Sequence, residues 1–355
     1  MAYEIHKEEL INLYSPDVMR QFSTDFLLAL GATDEEAAII TDGLLTASMW
    51  WHPGQGQGLE KFFRFHQQVK IGGIIPNAPM QWIKDTPSLA LLDAAKGFGY
   101  VSAYRAMMRA VEKARATGIG MVGVRHSNHF GIAGYHALQA AKHGLIGWVF
   151  TNARAEMAPW GSAKMVLGTN PWGIAIPRKD THAIVLDMAL TMSGKGMMRW
   201  LMREGKPMPD NWALTPSGER TTDPAAAMDG PVLPIGEYKG YGLSLFTDVL
   251  AGVMTGAMFG LSVFQDDRNH DVGHVMLAID PTVFISQDDF DQRLEQLVAE
   301  VKSAPPIDPN RPVILPGEVE FKRMQQREQE GIPMSRETVE QLRALSREVG
   351  VICPL

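Results

Sequence analysis

Cysteine is nearly absent from this chain: Cys353 is the only one in 355 residues. A single thiol cannot form an intrachain disulfide, and a cysteine-based structural zinc site is excluded with it. Dense lysine or arginine blocks are missing too, and the formal charge is −7. Nucleic-acid binding needs clustered cations against phosphate, so a small molecule is the expected partner, not a nucleic acid. The opening residues, Met-Ala-Tyr-Glu-Ile-His-Lys-Glu-Glu, lack the cationic start and apolar core of a secretory signal. With the near absence of cysteine, this points to the cytoplasm. One apolar run, Tyr241 to Phe264, has the length of a bilayer span but encloses Asp248 and has no companion span. It is expected to be a buried helix, in the core or at a subunit contact, with no membrane partner. No internal repeat or low-complexity tract is present.

At 45% hydrophobic the chain can bury a large core, and its length suggests two unequal domains. The first ~75 residues show helical spacing of apolar positions. Ser15-Pro16-Asp17 can start a helix that Gly31 ends, and Thr33 with Glu36 forms a capping box for a second one running to Trp50. Trp51 to Gly58 holds three glycines and a proline and must be a loop. From Leu89 onward, strand-like and helix-like segments alternate, the pattern of an α/β domain. Leu89 to Ala94, Gly120 to Val124, Leu145 to Thr151, Trp172 to Pro177, Ala183 to Met188 and His274 to Ile279 read as strands. Tyr100 to Ala116 and Ile132 to His143 read as helices. Several strands follow one another without a helix-length crossover, so the sheet is expected to be mixed. Phe284 to Val301 reads as a surface helix, Ala304 to Pro316 with its five prolines as an arm, and Ser335 to Val349 as a helix folding back on the N-terminal ones.

The segment Gly123-Val-Arg-His-Ser-Asn-His-Phe-Gly-Ile-Ala-Gly-Tyr135 sets polar residues between a strand and a helix, where α/β enzymes collect ligands. His129, beside Gly131 in that turn, is better placed to meet a ligand than His126. His136 and His143 follow at seven-residue intervals, too far apart along a helix to share one ion. They are expected on the helix surface, and no metal is expected. Gly118-Ile-Gly120-Met-Val-Gly123 matches a dinucleotide glycine pattern but runs from helix into strand, the reverse of the order that pattern needs. Gly97-Phe98-Gly99 has the right order but Ser102 in place of the third glycine, and reads as a tight turn. Gly168-Thr-Asn-Pro171 is a turn, Asp187 ends a strand as an acid that could bond a ribose hydroxyl, and Lys239 sits among glycines before an apolar helix. A lysine there opposes the helix dipole, which suggests an anionic ligand.

Taken together and in order, the helical start, Ser127-Asn-His-Phe-Gly-Ile-Ala-Gly-Tyr135, Gly168-Thr-Asn-Pro171, Asp187-Met-Ala189, Thr221-Thr-Asp-Pro224, Lys239-Gly-Tyr-Gly-Leu243 and Leu315-Pro-Gly-Glu318 resemble the type-2 malate/L-lactate dehydrogenase family. Its relatives include ureidoglycolate and sulfolactate dehydrogenases, diketogulonate reductase and cyclic ketimine reductases. The resemblance implies an α/β fold unlike the Rossmann domain: a mixed-sheet cofactor domain, residues 76–304, and a helical domain made from both chain ends, 1–75 and 305–355. It implies a homodimer with the active site near the subunit interface. It also implies NAD or NADP as cofactor, contacted by His129, Phe130, Gly131, Ile132 and Ala133, by Asp187, Met188 and Ala189, by Tyr238 and Lys239, by Gly273 and His274, and by Pro316, Gly317 and Glu318. Thr169 matches a substrate-side position.

The chain departs from the family at its acid. The family carries a histidine in an Asp-Ser-His-Gly turn, with an arginine three residues after the turn for the substrate carboxylate. Here the turn is Gln55-Gly56-Gln57-Gly58, so Gln57 stands for the histidine and Lys61 for the arginine. A family Gly-Lys pair is also displaced, to Gly194-Lys195. Reducing a 2-oxo acid needs a hydride donor, a proton donor within about 3 Å of the carbonyl oxygen, and a cation for the carboxylate. Glutamine cannot give the proton, whereas Lys61 can still pair with a carboxylate as a point charge. Three functions stay open. One is an NAD(P)-dependent oxidoreductase of small 2-hydroxy acids in which His129 or His52 moves the proton. The second is a cyclic imine reductase, and the third a cofactor-binding protein with reduced or lost catalysis.

Overall fold

Each of the first helices starts where a side chain can accept its free N–H groups. Ser15 accepts from the Asp17 N–H at 3.3 Å ahead of α1 (Pro16–Ala29), which follows strand β1 (Ile11–Tyr14). Before α2 (Asp34–Trp50), the Thr33 N–H donates to Glu36 Oε2 at 3.0 Å while the Glu36 N–H donates to Thr33 Oγ1 at 3.2 Å. This is the reciprocal capping box expected from the sequence. The computed structural model describes residues 11–50 and 58–355. The predicted loop up to Gln57, with His52 and Gln57, therefore lies outside the described residues. Helix α3 (Lys61–Ile71) follows and stops at Gly72, whose φ of 74° is the left-handed conformation that suits glycine.

The sheet is mixed, as its short connections require. Its elements run β2 (Gln81–Asp85), β3 (Leu89–Asp93), α4 (Gly99–Thr117), β4 (Ile119–Ser127), α5 (Ala133–Ala141) and β5 (Ile146–Thr151). A small ribbon of β6 (Ala155–Met157) and β7 (Leu167–Gly168) intervenes before β8 (Trp172–Ile176) and β9 (Ile184–Met188). Helices α6 (Lys195–Arg203), α7 (Pro224–Ala227) and α8 (Tyr238–Thr247) precede β10 (Val272–Ile279). Seven strands lie in the order β2-β3-β4-β10-β5-β8-β9, and only β3 and β4, joined through α4, pair in parallel. The late strand β10 enters the middle, antiparallel to both β4 and β5. The chain closes with α9 (Gln287–Ser303), α10 (Glu318–Glu330), β11 (Ile332–Ser335) and α11 (Arg336–Val349). Antiparallel pairing of β1 with β11, and contacts of α11 with α1 and α3, bring the two chain ends together.

Alternation along the strands separates two cores. Val149 and Met276 face α4, α5 and the N-terminal helices, while Phe150 and Val275 face the opposite side with Ala251. Helices α4 and α5 ride very close to the sheet. A methyl group on Gly120 would come within 2.0 Å of Ala110 O, and one on Gly147 within 2.2 Å of Ala137 O. The Gly118–Gly123 pattern is thus a helix C-cap followed by close helix–strand contact, with no phosphate cradle.

Two expectations are corrected. For the Tyr241–Phe264 stretch it is the core alternative that falls, since within the chain Phe246 is 67% exposed, Val253 54% and Phe259 53%, although Asp248 is buried. It is broken into α8, a π-helical segment at Asp248–Val253 and a turn, because Gly252 and Gly256 fall where the apolar pattern would continue a helix. Among the described residues no helix is long and apolar enough to cross a membrane. His136 is not on the helix surface but 0% exposed, its ring stacked on Phe130 at 4.8 Å and its Nε2 bonded to Phe130 O at 2.8 Å.

Candidate active site

The polar turn after β4 is held by one amide. Asn128 Nδ2 donates to the carbonyls of Gly73, Lys96 and Gly97 at 3.0–3.2 Å, which fixes its orientation and leaves Oδ1 to accept from His270 Nδ1 at 2.8 Å. Asn128 thereby ties the end of α3, the β3–α4 turn and the segment before β10 to one point. Beside it, Lys61 and Arg64 from α3, His129 and His270 line a cavity of about 10 Å³, walled by Phe65 and Ile74. That space holds roughly one water molecule.

Two observations fix the state of His129. The Gly131 backbone N–H donates to His129 Nδ1 at 3.0 Å, so the proton of the neutral ring is on Nε2. Burial first, then the charges of Lys61 and Arg64, hold its pKa well below the ordinary histidine value. His270 is lowered to about 4, chiefly by burial and by Arg64. Lys61 is itself lowered to about 8 by burial and by Arg64, against a weaker opposing pull from Glu60. Two imidazoles are therefore kept neutral beside two cations.

A further cation stands nearby. Arg64 lies over the Phe264 ring at 5.0 Å and Arg154 over the same ring at 5.7 Å, while Phe264 packs against His270 with centroids 4.5 Å apart. Phe264 holds φ at 62°, a left-handed conformation rare for a bulky residue.

From His129 the chain passes into α5, whose N-cap residue Ile132 has no side chain that can cap it. Asp187 on β9 reaches this end: a methyl group on Gly134 would meet Asp187 Cβ at 3.0 Å. The Pro316-Gly317 turn docks on the same strand, with the Val185 N–H donating to Pro316 O at 3.1 Å. Gly317 has φ 92°, and a methyl group there would crowd Val185 at 3.1–3.2 Å. Glu318 caps this turn by accepting from the Leu315 N–H and pairs with Lys302. On the other side, the Ile235 N–H donates to Leu190 O at 3.0 Å and ties the chain just before exposed Tyr238 and Lys239 to the end of the β9 segment. Thr169 joins the group through its carbonyl, which accepts from the Leu190 N–H at 2.8 Å. Lys195 begins α6 with its Nζ bonded to Met228 O.

Not every expected residue can touch a ligand with its side chain. His274 is 0% exposed, its ring stacked on Phe130 at 4.6 Å and bonded to Thr151 Oγ1 and Ser127 Oγ. Gly273, Phe130, Ile132 and Ala133 are buried with it. These residues shape the turn from behind. Arg64, Arg154, Asn128, Phe264 and His270 were not singled out from the sequence. The one available signal was Arg64, a helical turn after Lys61, because long-range packing places the other four.

An anion-accepting helix end, a carboxylate suited to ribose hydroxyls and a glycine turn converging on β9 fit a dinucleotide. The chain matches the malate/L-lactate dehydrogenase family model over residues 14–343. It is 35% identical to the L-sulfolactate dehydrogenase of Methanothermobacter thermautotrophicus over 340 residues, covering 95% of this chain and 97% of that protein. The chain belongs to this family. The malate dehydrogenase of Pyrococcus abyssi is 36% identical over 344 residues, 94% of each chain. The sulfolactate dehydrogenase structure from Methanocaldococcus jannaschii superposes with a TM-score of 0.90 at 30% identity, covering 96% of this chain and 98% of that one. This family member is thus an oxidoreductase, and NAD(P) is its cofactor.

Proposed function

We propose that the chain interconverts a small 2-hydroxy acid and its 2-oxo acid beside the cavity between α3 and the turn at 127–134, whose volume admits only part of such a substrate. The carrying observation is the pairing of Lys61 and Arg64 with a neutral His129 around one enclosed space. The cations attract the substrate carboxylate, and the free His129 Nε2–H can hydrogen-bond the carbonyl oxygen. NAD(P) supplies or accepts the hydride when bound. Residues 131–133 through their backbone, Asp187 to Ala189, Tyr238, Lys239 and Pro316 to Glu318 would hold it, with Thr169 on the substrate side. Arg154, across the Phe264 ring, suits a substrate with a second anionic group, which sulfolactate and malate both carry.

The enzyme works as a homodimer in the cytoplasm. The dimer reading is supported by the apolar face of Phe246, Val249, Val253 and Met254, whose three- and four-residue spacing faces solvent in the single chain. The helical domain takes 1–75 and 305–355, and the cofactor domain 76–304; the meeting of the chain ends at β1 and β11 supports this division.

The test is a rate panel with NADH and with NADPH on pyruvate, oxaloacetate, sulfopyruvate and a cyclic imino acid. Turnover of oxo acids, with higher kcat/KM for those bearing a second anion, is the expected result. Turnover of imines alone, or cofactor binding without turnover on any of them, would sink the reading.

A further inference from the structure

We propose that Lys61 is the proton donor of this site, protonating the carbonyl oxygen in reduction and accepting that proton back in oxidation, with Arg64 left to hold the carboxylate. The assignment rests on the 2-oxo acid reading above.

It follows from elimination among the described residues that line the cavity; His52 is not one of the described residues. Asn128 is committed to three carbonyls and His270 and does not titrate. Arg64 stays protonated at neutral pH. His270 gives its Nδ1 proton to Asn128, and His129 receives the Gly131 N–H on Nδ1. Each ring is neutral, and giving up its last proton would leave an imidazolate. To act as an acid, either would first have to take on a second proton beside Lys61 and Arg64. His129 can polarise a carbonyl through its Nε2–H, His270 has its one N–H engaged by Asn128, and neither has a spare proton.

Lys61 differs in every respect. It is the first residue of α3, where the positive end of the helix dipole disfavours an ammonium, and Arg64 stands one turn further along. Among the described residues, the titratable groups from other elements that line the cavity with it are His129 and His270, and Glu60 is the anion acting on it. Among the described residues its Nζ has no hydrogen bond or ion pair. Burial and charge bring it to about 8, so ammonium and amine are both accessible near neutral pH. Arg64 has the planar fork that suits a carboxylate, braced on Phe264.

The balance is simple. In reduction the carbonyl carbon receives the hydride of NAD(P)H, its π pair moves to oxygen, and that oxygen takes a proton from the Lys61 ammonium. The products are the hydroxy acid, NAD(P)⁺ and a neutral amine, which solvent reprotonates. Oxidation runs the same steps backward and starts from the amine.

The experiment compares the unaltered enzyme with Lys61→Arg and Lys61→Gln across pH, in both directions, after circular dichroism has shown that the variants are folded. For the unaltered enzyme, kcat/KM for reduction should fall as pH rises through about 8, and kcat/KM for oxidation should rise through the same value. The limb in kcat should lie at higher pH, because a carboxylate on Arg64 cancels the charge that lowers Lys61. Lys61→Arg keeps the cation but has no proton to give. It should hold KM within about threefold, lose on the order of 10²-fold or more in kcat, and lose the limb. Lys61→Gln should lose kcat equally.

A second readout needs no turnover: competitive acetylation of the intact protein, resolved by peptide mass spectrometry. Lys61 should label with a midpoint near 8, against about 10.4 for ordinary lysines. If Lys61→Arg keeps kcat within about threefold with the limb in place, or if Lys61 labels like an ordinary lysine, the assignment is overturned while the 2-oxo acid reading stands. Failure of the unaltered enzyme on every oxo acid removes both.

Discussion

Several histidines of this protein are neutral because of where they are buried. His136 is pushed down to about 4 and His274 to about 3, both mainly by burial, and His270 to about 4. Unfolding returns each to roughly 6.5, so below that value the unfolded chain binds more protons than the folded one. Their contribution to stability is complete above about 6.5 and is lost as pH falls towards 4. Asp248 works in the opposite sense: burial raises it to about 6, so the folded state gains its proton first as pH drops. Four lowered histidines, His129 included, outweigh Asp248 and the likewise raised Glu156, and the urea midpoint is expected to fall steadily between pH 6.5 and 4.5. A midpoint that stays level over that interval would contradict the argument.

At the scale of elements, the capping box does more than start α2. Glu36 is buried, and besides the Thr33 N–H it accepts the Asn77 N–H at 2.9 and 3.1 Å, across to the chain leading into β2. Asn77 itself is in a left-handed turn with φ 50°. Glu36→Ala removes the helix cap and leaves a partly buried N–H without its acceptor. The expected loss is about 2–4 kcal/mol, read as a lower urea midpoint at unchanged m. A loss under about 0.5 kcal/mol would mean that the link between α2 and Asn77 contributes little. The local half of this device, Thr33 with Glu36, was legible in the sequence because it spans three residues. The Asn77 half was not, since 41 residues separate the partners. The same division holds elsewhere. The helices α4 and α5 and six of the sheet strands follow from local periodicity and terminators, whereas β2, exposed along its whole length, has no such pattern to reveal it.

For the whole molecule, the proposed homodimer rests on the exposed face of α8 and the π-helical segment. Phe246→Asp together with Val253→Asp places two charges on it while touching no residue of the cavity. Light scattering on the unaltered protein is expected to give the mass of two chains, and on the variant the mass of one. A single-chain mass for the unaltered protein at micromolar concentration would rule the homodimer out.

The sequence by itself determined the fold class, the family and the order of the motifs, because helix caps, apolar periods and glycine turns act over a few residues. It also led to the expectation that Gln57 stands where the family keeps a histidine; Gln57 and His52 lie outside the described residues. Only the tertiary structure decided which groups share the cavity. Lys61, Arg64, Asn128, His129 and His270 come from three separate parts of the chain. Their protonation states depend on mutual charge and burial, which exist only once the sheet order and the packing of α3 have brought them together.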